Sequence, residues 1–136
     1  MLIHAALRNP ALTTVREVAE DFGLSLAHLQ KVAQTLAAHG YIETLRGRSG
    51  GLRLARSLEQ IRVGAVVAVT EPDFHLAPCT ADGGGCPIYQ PCVLRDALDQ
   101  ATSAFLAELD KWTLADLIQK RKPLLVALAQ PAGTRH

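Results

Sequence analysis

The stretch TTVREVAEDFGLSLAHLQKVAQTLAAHG, residues 13–40, carries the signals of two short helices separated by a tight turn. Either Thr13 or Thr14 can cap the first helix, and Glu17 follows Thr14 at the spacing of a capping box. Gly23 supplies the stop, because glycine readily adopts the left-handed conformation that ends many helices. The apolar residues between these signals recur at helical spacing and predict one buried face: Val15, Val18, Ala19 and Phe22.

The second helix of this pair is predicted to begin at Ser25 and to end at Gly40. Its buried stripe repeats the same spacing: Leu26, Leu29, Val32, Ala33 and Leu36. Ala19, Gly23 and Leu29 stand at the spacing of a helix–turn–helix. In that motif a small residue permits close approach of the helices, a glycine makes the turn, and an apolar residue fills the angle between them. The pair is therefore a candidate DNA-reading unit.

A change of period after the second helix predicts a β-hairpin. YIETL (41–45) alternates like a strand, RGRSGG (46–51) is a flexible basic turn, and LRL (52–54) alternates again. Two strands joined by a short glycine-rich turn form a hairpin. A hairpin with a basic tip, placed directly after a helix–turn–helix, predicts a winged helix.

The exposed residues near the start of the second helix are the candidate base-reading residues, because such a helix end enters the major groove of B-DNA. They are Ser25, Ala27, His28, Gln30 and Lys31. Gln30 can bond an adenine edge, Lys31 can take a phosphate or a guanine, and His28 either reads DNA or only covers its neighbours. Arg46 and Arg48, at the hairpin tip, are expected along phosphates or in the minor groove. Two such modules on a dimer would read half-sites about 34 Å apart.

Charge is segregated along the chain, although the net charge is only +1. Residues 25–56 carry five basic side chains against the single acid Glu43, whereas the rest of the chain carries nine basic and twelve acidic residues. The five basic residues are Lys31, Arg46, Arg48, Arg53 and Arg56. A local excess of this kind favours a polyanionic partner such as double-stranded DNA.

The remainder of the chain predicts further helices on either side of an irregular loop. Residues 58–70 are apolar enough for a buried helix that begins near Arg62, whereas prolines and glycines break residues 71–91. A long helix is predicted from Cys92 to Trp112. Its apolar stripe steps by three and four residues and suits pairing with a second helix: Leu94, Leu98, Ala101, Phe105, Leu109 and Trp112.

The predicted fold class is mainly α with a small β-hairpin. Residues 1–70 would form a winged helix–turn–helix DNA-binding domain, residues 71–91 a cysteine-containing, cluster-binding loop, and residues 92–136 a dimerisation helix and C-terminal tail. Within that last part, a short helix capped by Thr113 and a polar tail are expected to finish the chain.

Cys79, Cys86 and Cys92 are the chain's three cysteines, and all lie within fourteen residues. Because the count is odd and no signal peptide is visible, metal binding or redox chemistry is favoured over structural disulfides. The spacing contains no Cys-x2-Cys chelate, which weakens zinc, although His75 could complete a zinc site. A catalytic thiol at Cys92, where a helix begins, is a second alternative that lacks an evident partner base. Thiolates on an irregular loop suit an iron–sulfur cluster, whose remaining corner can be filled from elsewhere.

A winged helix, a three-cysteine loop and a long helix, in this order, resemble the Rrf-type regulators, a family of dimeric bacterial transcription factors. RGRSGGLRLAR (46–56) resembles the family's glycine-rich wing, and AFLAELDKWTLADLI (104–118) resembles its nitric-oxide-sensitive repressors in particular. The resemblance covers essentially the whole chain. It implies that Cys79, Cys86 and Cys92 bind an iron–sulfur cluster, 4Fe–4S first and 2Fe–2S as the other option. It also implies a homodimer that binds operator DNA and takes nitric oxide as its signal.

The same resemblance implies a fourth cluster ligand, an acidic residue near the N-terminus of the partner subunit. This sequence is expected to lack about twelve residues that precede Met1 in relatives. The fourth coordination position of the cluster would then be taken by a residue upstream of Met1 or by a replacement ligand. Candidate replacements are water, a thiol and four side chains: His4, Glu71, Asp73 and His75.

The cysteine loop joins the DNA-reading residues to the long helix. We therefore hypothesise that iron–thiolate bonds set the spacing of the two reading units and that nitric oxide releases it. The alternatives are a regulator that senses iron–sulfur supply or redox state, and a zinc-stabilised protein-interaction module. An enzyme is disfavoured, because the sequence shows no paired carboxylates, catalytic triad or phosphate-cradling loop. No apolar run reaches the ~20 residues of a membrane span, and the expected location is the cytoplasm.

Overall fold

The structure, a computed structural model, describes residues 1–47, 49–71, Phe74 and 86–130. The first part of the chain contains α1 (Leu2–Arg8), α2 (Val15–Phe22), α3 (Leu26–Ala38), β1 (Ile42–Leu45), β2 (Gly51–Leu54), a 3-10 turn (Leu58–Gln60) and α4 (Val63–Thr70). The second part contains α5 (Val93–Leu109), α6 (Leu114–Leu117) and α7 (Arg121–Leu128). This order confirms the predicted fold class of helices with one small hairpin.

Helix α2 begins at the predicted capping box. Thr14 Oγ1 accepts a hydrogen bond from the Glu17 backbone N–H at 3.1 Å, and a Glu17 carboxylate oxygen accepts one from the Thr14 backbone N–H at 2.6 Å. The hydrogen bond from the Thr14 backbone is the main cause that lowers the pKa of Glu17. At the other end Gly23 adopts φ 65°, and its N–H donates to the carbonyls of the preceding turn. Both predicted ends of α2 are therefore confirmed.

The angle between α2 and α3 is filled as a helix–turn–helix requires. Val18, Ala19 and Leu29 are buried against one another. Ser25 Oγ accepts a hydrogen bond from the His28 N–H at the start of α3, at 3.4 Å. Phe22, predicted on the buried face, is instead 39% exposed. It is the last residue of α2, and its ring lies edge-on to His4 rather than between the two helices.

One hydrophobic core joins α1, α3, the hairpin and the residues after α5. Its buried members are Ala5, Ala6, Leu7, Ala33, Leu36, Tyr41, Ile42, Leu52, Ile61, Leu114 and Ile118. Leu114 and Ile118 follow the long helix, so the chain returns to the first half of the molecule after α5. Arg121 strengthens this return, because its guanidinium donates hydrogen bonds to the carbonyls of Ala6 and Leu7 at the end of α1.

The hairpin is antiparallel and is fastened to the start of the helix–turn–helix. Ile42 pairs with Leu54 and Leu45 with Gly51. Thr13 forms a bridge with Leu52: the Thr13 N–H donates to the Leu52 carbonyl at 3.0 Å, and the Leu52 N–H donates to the Thr13 carbonyl at 2.6 Å. A Cβ on Gly51 would lie 2.8 Å from the Thr13 carbonyl oxygen, so this approach requires glycine.

Helix α4 docks on the end of α5 through a close backbone contact. A Cβ on Gly64 would lie 2.5 Å from the Leu106 carbonyl oxygen, so any larger side chain would force the helices apart. An Asp110 carboxylate oxygen accepts the Ala65 backbone N–H at 3.2 Å, and Arg62 Nη1 donates to the Asp110 carbonyl at 2.8 Å. Asp110 therefore ends α5 while it caps the first turn of α4. We call this contact the α4–α5 joint.

The chain after α5 agrees with the prediction at one point and departs from it at another. Thr113 caps α6 as expected, in a second capping box with Asp116, and hydrogen bonds from Thr113 lower the pKa of that carboxyl. The long helix ends at Leu109 rather than Trp112, because Asp110 and Trp112 are engaged with the start of α4. Helix α7 replaces the start of the expected polar tail. None of the described helices is both long and apolar enough to cross a membrane.

Candidate functional site

The N-terminal half of α3 presents a polar, exposed surface on the side opposite its buried stripe. We call this surface the reading face. All five predicted base-reading residues lie exposed on it: Ser25, Ala27, His28, Gln30 and Lys31. Leu29, Ala33 and Leu36 anchor the other side of α3 in the interior. The geometry thus leaves the reading face free for a groove of DNA, and the contact of each residue with DNA stays a prediction.

The basic residues of the hairpin fall into two groups. Arg46 is exposed, and among the described residues neither it nor Lys31 forms an ion pair or hydrogen bond through its side chain. Arg53 is engaged, because its guanidinium donates two hydrogen bonds to one Glu43 carboxylate oxygen across the strands, at 2.8 and 3.0 Å. Arg48 lies outside the described residues. Of these basic residues, Lys31 and Arg46 are therefore the described side chains that have no protein partner, whereas the charge of Arg53 is offset by Glu43.

Arg56 is also engaged, at the C-terminal end of α3. Its Nε donates to the Gly40 carbonyl at 2.9 Å and its Nη2 to the His39 carbonyl at 2.7 Å. The guanidinium also stacks over the Tyr41 ring, with its carbon 4.5 Å from the ring centroid. These contacts tie the strand that leaves the hairpin to the end of the reading helix. Sequence reasoning counted Arg56 as part of the basic patch and missed this bracing role.

Cys86 and Cys92 flank a turn that leads into α5. We call residues 86–92 the thiol turn. The Tyr89 N–H donates to the Cys86 carbonyl at 3.2 Å, and Cys92 is the N-cap residue of α5. Both thiols are half-buried and free of disulfides. Cys79, the third predicted ligand, lies outside the described residues.

The donor set of the thiol turn fits a soft metal group in part. Two free, half-buried sulfur ligands at the start of a helix suit iron–sulfur or zinc chemistry. Within the described ranges no three His, Cys, Asp or Glu side chains are grouped closely enough to hold a metal ion by themselves. A site built on this turn therefore needs at least one further ligand, which is the part that Cys79 is predicted to play.

Of the candidate replacements for the fourth cluster ligand, His4 is disfavoured because both of its ring nitrogens form hydrogen bonds. Its side chain is fully buried, with Nδ1 3.0 Å from Thr13 Oγ1 and Nε2 2.8 Å from an Asp21 carboxylate oxygen. Both ring nitrogens are thus occupied inside the helix–turn–helix. Glu71 is exposed at the end of α4. Asp73 and His75 lie outside the described residues.

Arg95 contacts the thiol turn and is not among the candidate residues identified from the sequence. Its guanidinium stacks over the Tyr89 ring at 4.8 Å, and its Nη1 donates to the Tyr89 carbonyl at 3.3 Å. Nε donates to the Asp96 carboxylate at 2.9 Å, and these bonds raise the pKa of Arg95 above its ordinary value, so the group stays charged. A basic residue three positions after a cysteine that begins a helix was the available signal in the sequence.

Comparison with known proteins gives a consistent family assignment. The model of the family described as "Rrf2: Iron-dependent Transcriptional regulator" matches residues 1–120. The chain is 42% identical over 134 residues to the HTH-type transcriptional regulator NsrR of Geobacillus kaustophilus (strain HTA426), across 98% of this chain and 91% of that protein. It is 40% identical over 129 residues to the HTH-type transcriptional regulator NsrR of Bacillus subtilis (strain 168), across 94% of this chain and 88% of that protein.

Solved structures with the same arrangement of elements have much lower sequence identity. T. potens IscR superposes with a TM-score of 0.66 at 23% identity, covering 90% of this chain and 81% of that one. The oxidized form of Staphylococcus aureus CymR gives a TM-score of 0.67 at 22% identity, covering 87% and 86%. At these identities the likeness shows the fold alone.

Proposed function

The chain belongs to the Rrf2 family of iron-dependent transcriptional regulators, and from this premise we propose that it is a homodimeric repressor whose affinity for operator DNA is controlled by a nitric-oxide-sensitive iron–sulfur cluster. Because the family consists of transcriptional regulators, the expectation that the chain is not an enzyme is confirmed. We place its action in the cytoplasm, where the operator DNA is found.

The proposed DNA contact uses the reading face and the hairpin in different ways. A helix whose exposed N-terminal residues carry an amide, an imidazole and an ammonium group can hydrogen-bond base edges in the major groove. Gln30 and Lys31 are the exposed residues best suited to this task. Arg46, exposed at the hairpin tip, would bind phosphate and fix the register of α3 without reading sequence. Arg48 has the same proposed role.

The proposed dimer contact is the apolar stripe of α5. Helix α5 contains no buried residue within the protomer, although it carries large apolar side chains. Leu94 is 65% exposed and Phe105 51% exposed, and Trp112, just beyond the helix, is 50% exposed. A helix of 17 residues is about 25 Å long, which is enough for antiparallel or parallel pairing with the same helix of a second copy. Burial of this stripe in a dimer would remove an exposed apolar surface that water disfavours.

We assign the cluster to Cys79, Cys86 and Cys92, with 4Fe–4S as the proposed type and 2Fe–2S as the alternative. When bound, such a cluster supplies iron that nitric oxide can attack, which weakens the iron–thiolate bonds. The chain's own residues do the rest. Cys92 is the N-cap residue of α5 and Cys86 begins the thiol turn, so the two proposed sulfur ligands would hold both ends of the segment that leads into α5.

The observation that carries this proposal is the position of Cys92. It is the N-cap residue of the helix proposed for dimer contact, and the other end of that helix is fixed to the DNA-reading half by the α4–α5 joint. A metal bond to Cys92 would therefore act on a helix that contacts α4, and α4 packs beside the core that holds α3. Only one separation of the two reading faces of a dimer fits both half-sites of the operator. A change at Cys92 that alters this separation would therefore lower DNA affinity.

The test is a gel-shift titration of the anaerobically purified protein on operator-length duplex DNA, with and without a nitric oxide donor. We expect tight binding before treatment and a large loss of affinity after it. Cys86→Ser should lose the cluster and bind DNA weakly in both conditions. Equal affinity before and after treatment of a cluster-loaded sample would overturn nitric oxide control. Quantification of iron, sulfide and zinc in the same sample would show whether a zinc module is present instead.

A further inference from the structure

Arg95 links the start of α5 to the thiol turn that carries the two described cysteines. It lies in the first turn of α5, one turn after Cys92, and reaches back over the thiol turn to Tyr89. Its side chain is only 23% exposed. The contacts are of two kinds, a stack on the Tyr89 ring and a hydrogen bond to the Tyr89 carbonyl, and they hold the middle of the thiol turn against the helix.

These contacts suit arginine specifically. The planar guanidinium can stack on an aromatic ring while its edge donates hydrogen bonds in fixed directions, whereas a lysine ammonium has no such plane. Asp96 accepts two hydrogen bonds from Arg95 and thereby orients the guanidinium plane. The turn that carries Cys86 and Cys92 is thus braced by a side chain rather than by regular backbone structure.

We propose that Arg95 is a positioning residue for the iron–sulfur cluster. It fixes the separation of the Cys86 and Cys92 sulfur atoms, and its positive charge stabilises the negative charge that thiolate ligands bring to the site. This inference rests on the proposed function, because it assigns the cluster to these two cysteines. Groups that do not touch the metal but orient its ligands commonly change metal affinity as strongly as some ligands do.

The inference has two separable parts, geometry and charge. The geometric part depends on the stack and the carbonyl bond, and it should govern how well the thiol turn retains its shape with or without iron. The charge part depends on a cation held on the turn that carries the two cysteines, and it should govern the reduction potential, because nearby charge and hydrogen bonds set the potentials of such clusters. Arg95→Lys keeps the positive charge but loses the planar guanidinium that stacks on Tyr89. This variant therefore separates the charge part from the geometric part.

The first measurement uses the full chain without its cluster. Under anaerobic conditions, Cys86 and Cys92 are alkylated with iodoacetamide, and the rate at each cysteine is followed by mass spectrometry. The reaction is run at about pH 9.5, above the ordinary cysteine pKa, so that the rate reports access to the sulfur rather than ionisation. We expect several-fold faster labelling of both thiols in Arg95→Gln than in the unchanged protein. Lys122→Gln removes one positive charge from exposed α7 and serves as the matched control, with no expected change. Identical labelling rates in Arg95→Gln would overturn the positioning role.

The second measurement uses protein reconstituted anaerobically with iron and sulfide. We expect Arg95→Gln to lose its visible absorbance to an iron chelator about tenfold faster and to have a lower reduction potential. Arg95→Lys should restore the potential but not the slow loss. If Arg95→Gln fails to fold, Tyr89→Leu removes the stack and keeps the charge, so it should lose iron faster at an unchanged potential. Unchanged loss rates in these variants would contradict the inference.

The two measurements keep this inference apart from the proposed function. If the unchanged protein takes up no cluster while Arg95→Gln still exposes its thiols, the cluster assignment is wrong and the bracing of the turn stands. If the unchanged protein takes up a cluster and Arg95→Gln behaves like it in both measurements, the cluster assignment stands and the role of Arg95 is wrong.

Discussion

At the scale of single residues, arginines with the same formal charge perform different tasks. Arg46 is exposed at the hairpin tip, Arg53 is paired with Glu43, Arg56 braces the end of α3, and Arg95 braces the thiol turn. A charge count treats these side chains alike. Their contacts distinguish them: Arg46 is available to bind a phosphate, whereas the other three guanidinium groups already bond to other residues of the protein.

This division predicts different effects of two arginine substitutions on DNA binding. Arg46→Ala should weaken binding to all duplexes alike and reduce the slope of log K against log salt by about one, because one phosphate contact is lost. Arg53→Ala is the matched control. Its charge is already neutralised by Glu43, so the slope should change much less. The measurement is a fluorescence-anisotropy titration at several salt concentrations; an equal slope change in both variants would contradict the division.

At the scale of elements, local sequence signals fixed the helix ends better than they fixed the packing of whole helices. The capping boxes at Thr14 and Thr113 and the left-handed Gly23 were predictable, because each depends on residues within four positions. The exposure of Phe22 and the helix α7 were not, because they depend on contacts with distant parts of the chain. The thiols were likewise visible in the sequence, whereas the contact of Arg95 with Tyr89 required the turn geometry.

The capping box of α2 gives a prediction about stability. Thr14→Ala removes the side-chain acceptor of the Glu17 N–H, which should cost about 1 kcal/mol of unfolding free energy. Thr35→Ala is the matched control, because the Thr35 hydroxyl only donates to a carbonyl four residues back within α3 and caps nothing. Urea unfolding followed by circular dichroism measures both, and a loss as large in Thr35→Ala would contradict the capping role.

The same box predicts the direction of a pH effect. Glu17 has a lowered pKa in the folded protein, so its contribution to stability is fully present above the ordinary carboxyl pKa and is lost as the pH falls through the lower, folded value. Glu17→Gln should therefore reduce stability near neutral pH, and its curve should approach that of the unchanged protein in acid. Urea unfolding across a pH series checks this; a difference that persists unchanged into acid would assign the effect to something other than this ionisation.

At the scale of the whole molecule, the α4–α5 joint connects the helix that follows the thiol turn to the part of the chain that carries the reading face. Helix α5 has Cys92 at one end and Asp110 at the other, and Asp110 and Leu106 meet the start of α4. Helix α4 in turn packs beside the core that holds α3. Helix α5, the α4–α5 joint and the side-chain packing of α4 on the core therefore form a connected path from the thiols to α3, which carries the reading face.

Gly64→Ala should damage this path. A Cβ at Gly64 would lie 2.5 Å from the Leu106 carbonyl oxygen, so the two helices must separate, which we expect to cost about 1–3 kcal/mol. If the variant stays folded, operator binding should respond less to nitric oxide, while the iron content is unchanged. Ala55→Ser, at an exposed position outside the joint, is the control. A full nitric oxide response in folded Gly64→Ala would show that the signal takes another route.

The joint has a consequence in the opposite direction. Linkage between two binding sites is reciprocal. If loss of iron weakens DNA binding, then bound promoter DNA must stabilise the iron-loaded form by the same free energy. Protein bound to promoter DNA would then require more nitric oxide for inactivation than free protein. The density of target promoters would thus help to set the dose of gas at which those genes are switched on.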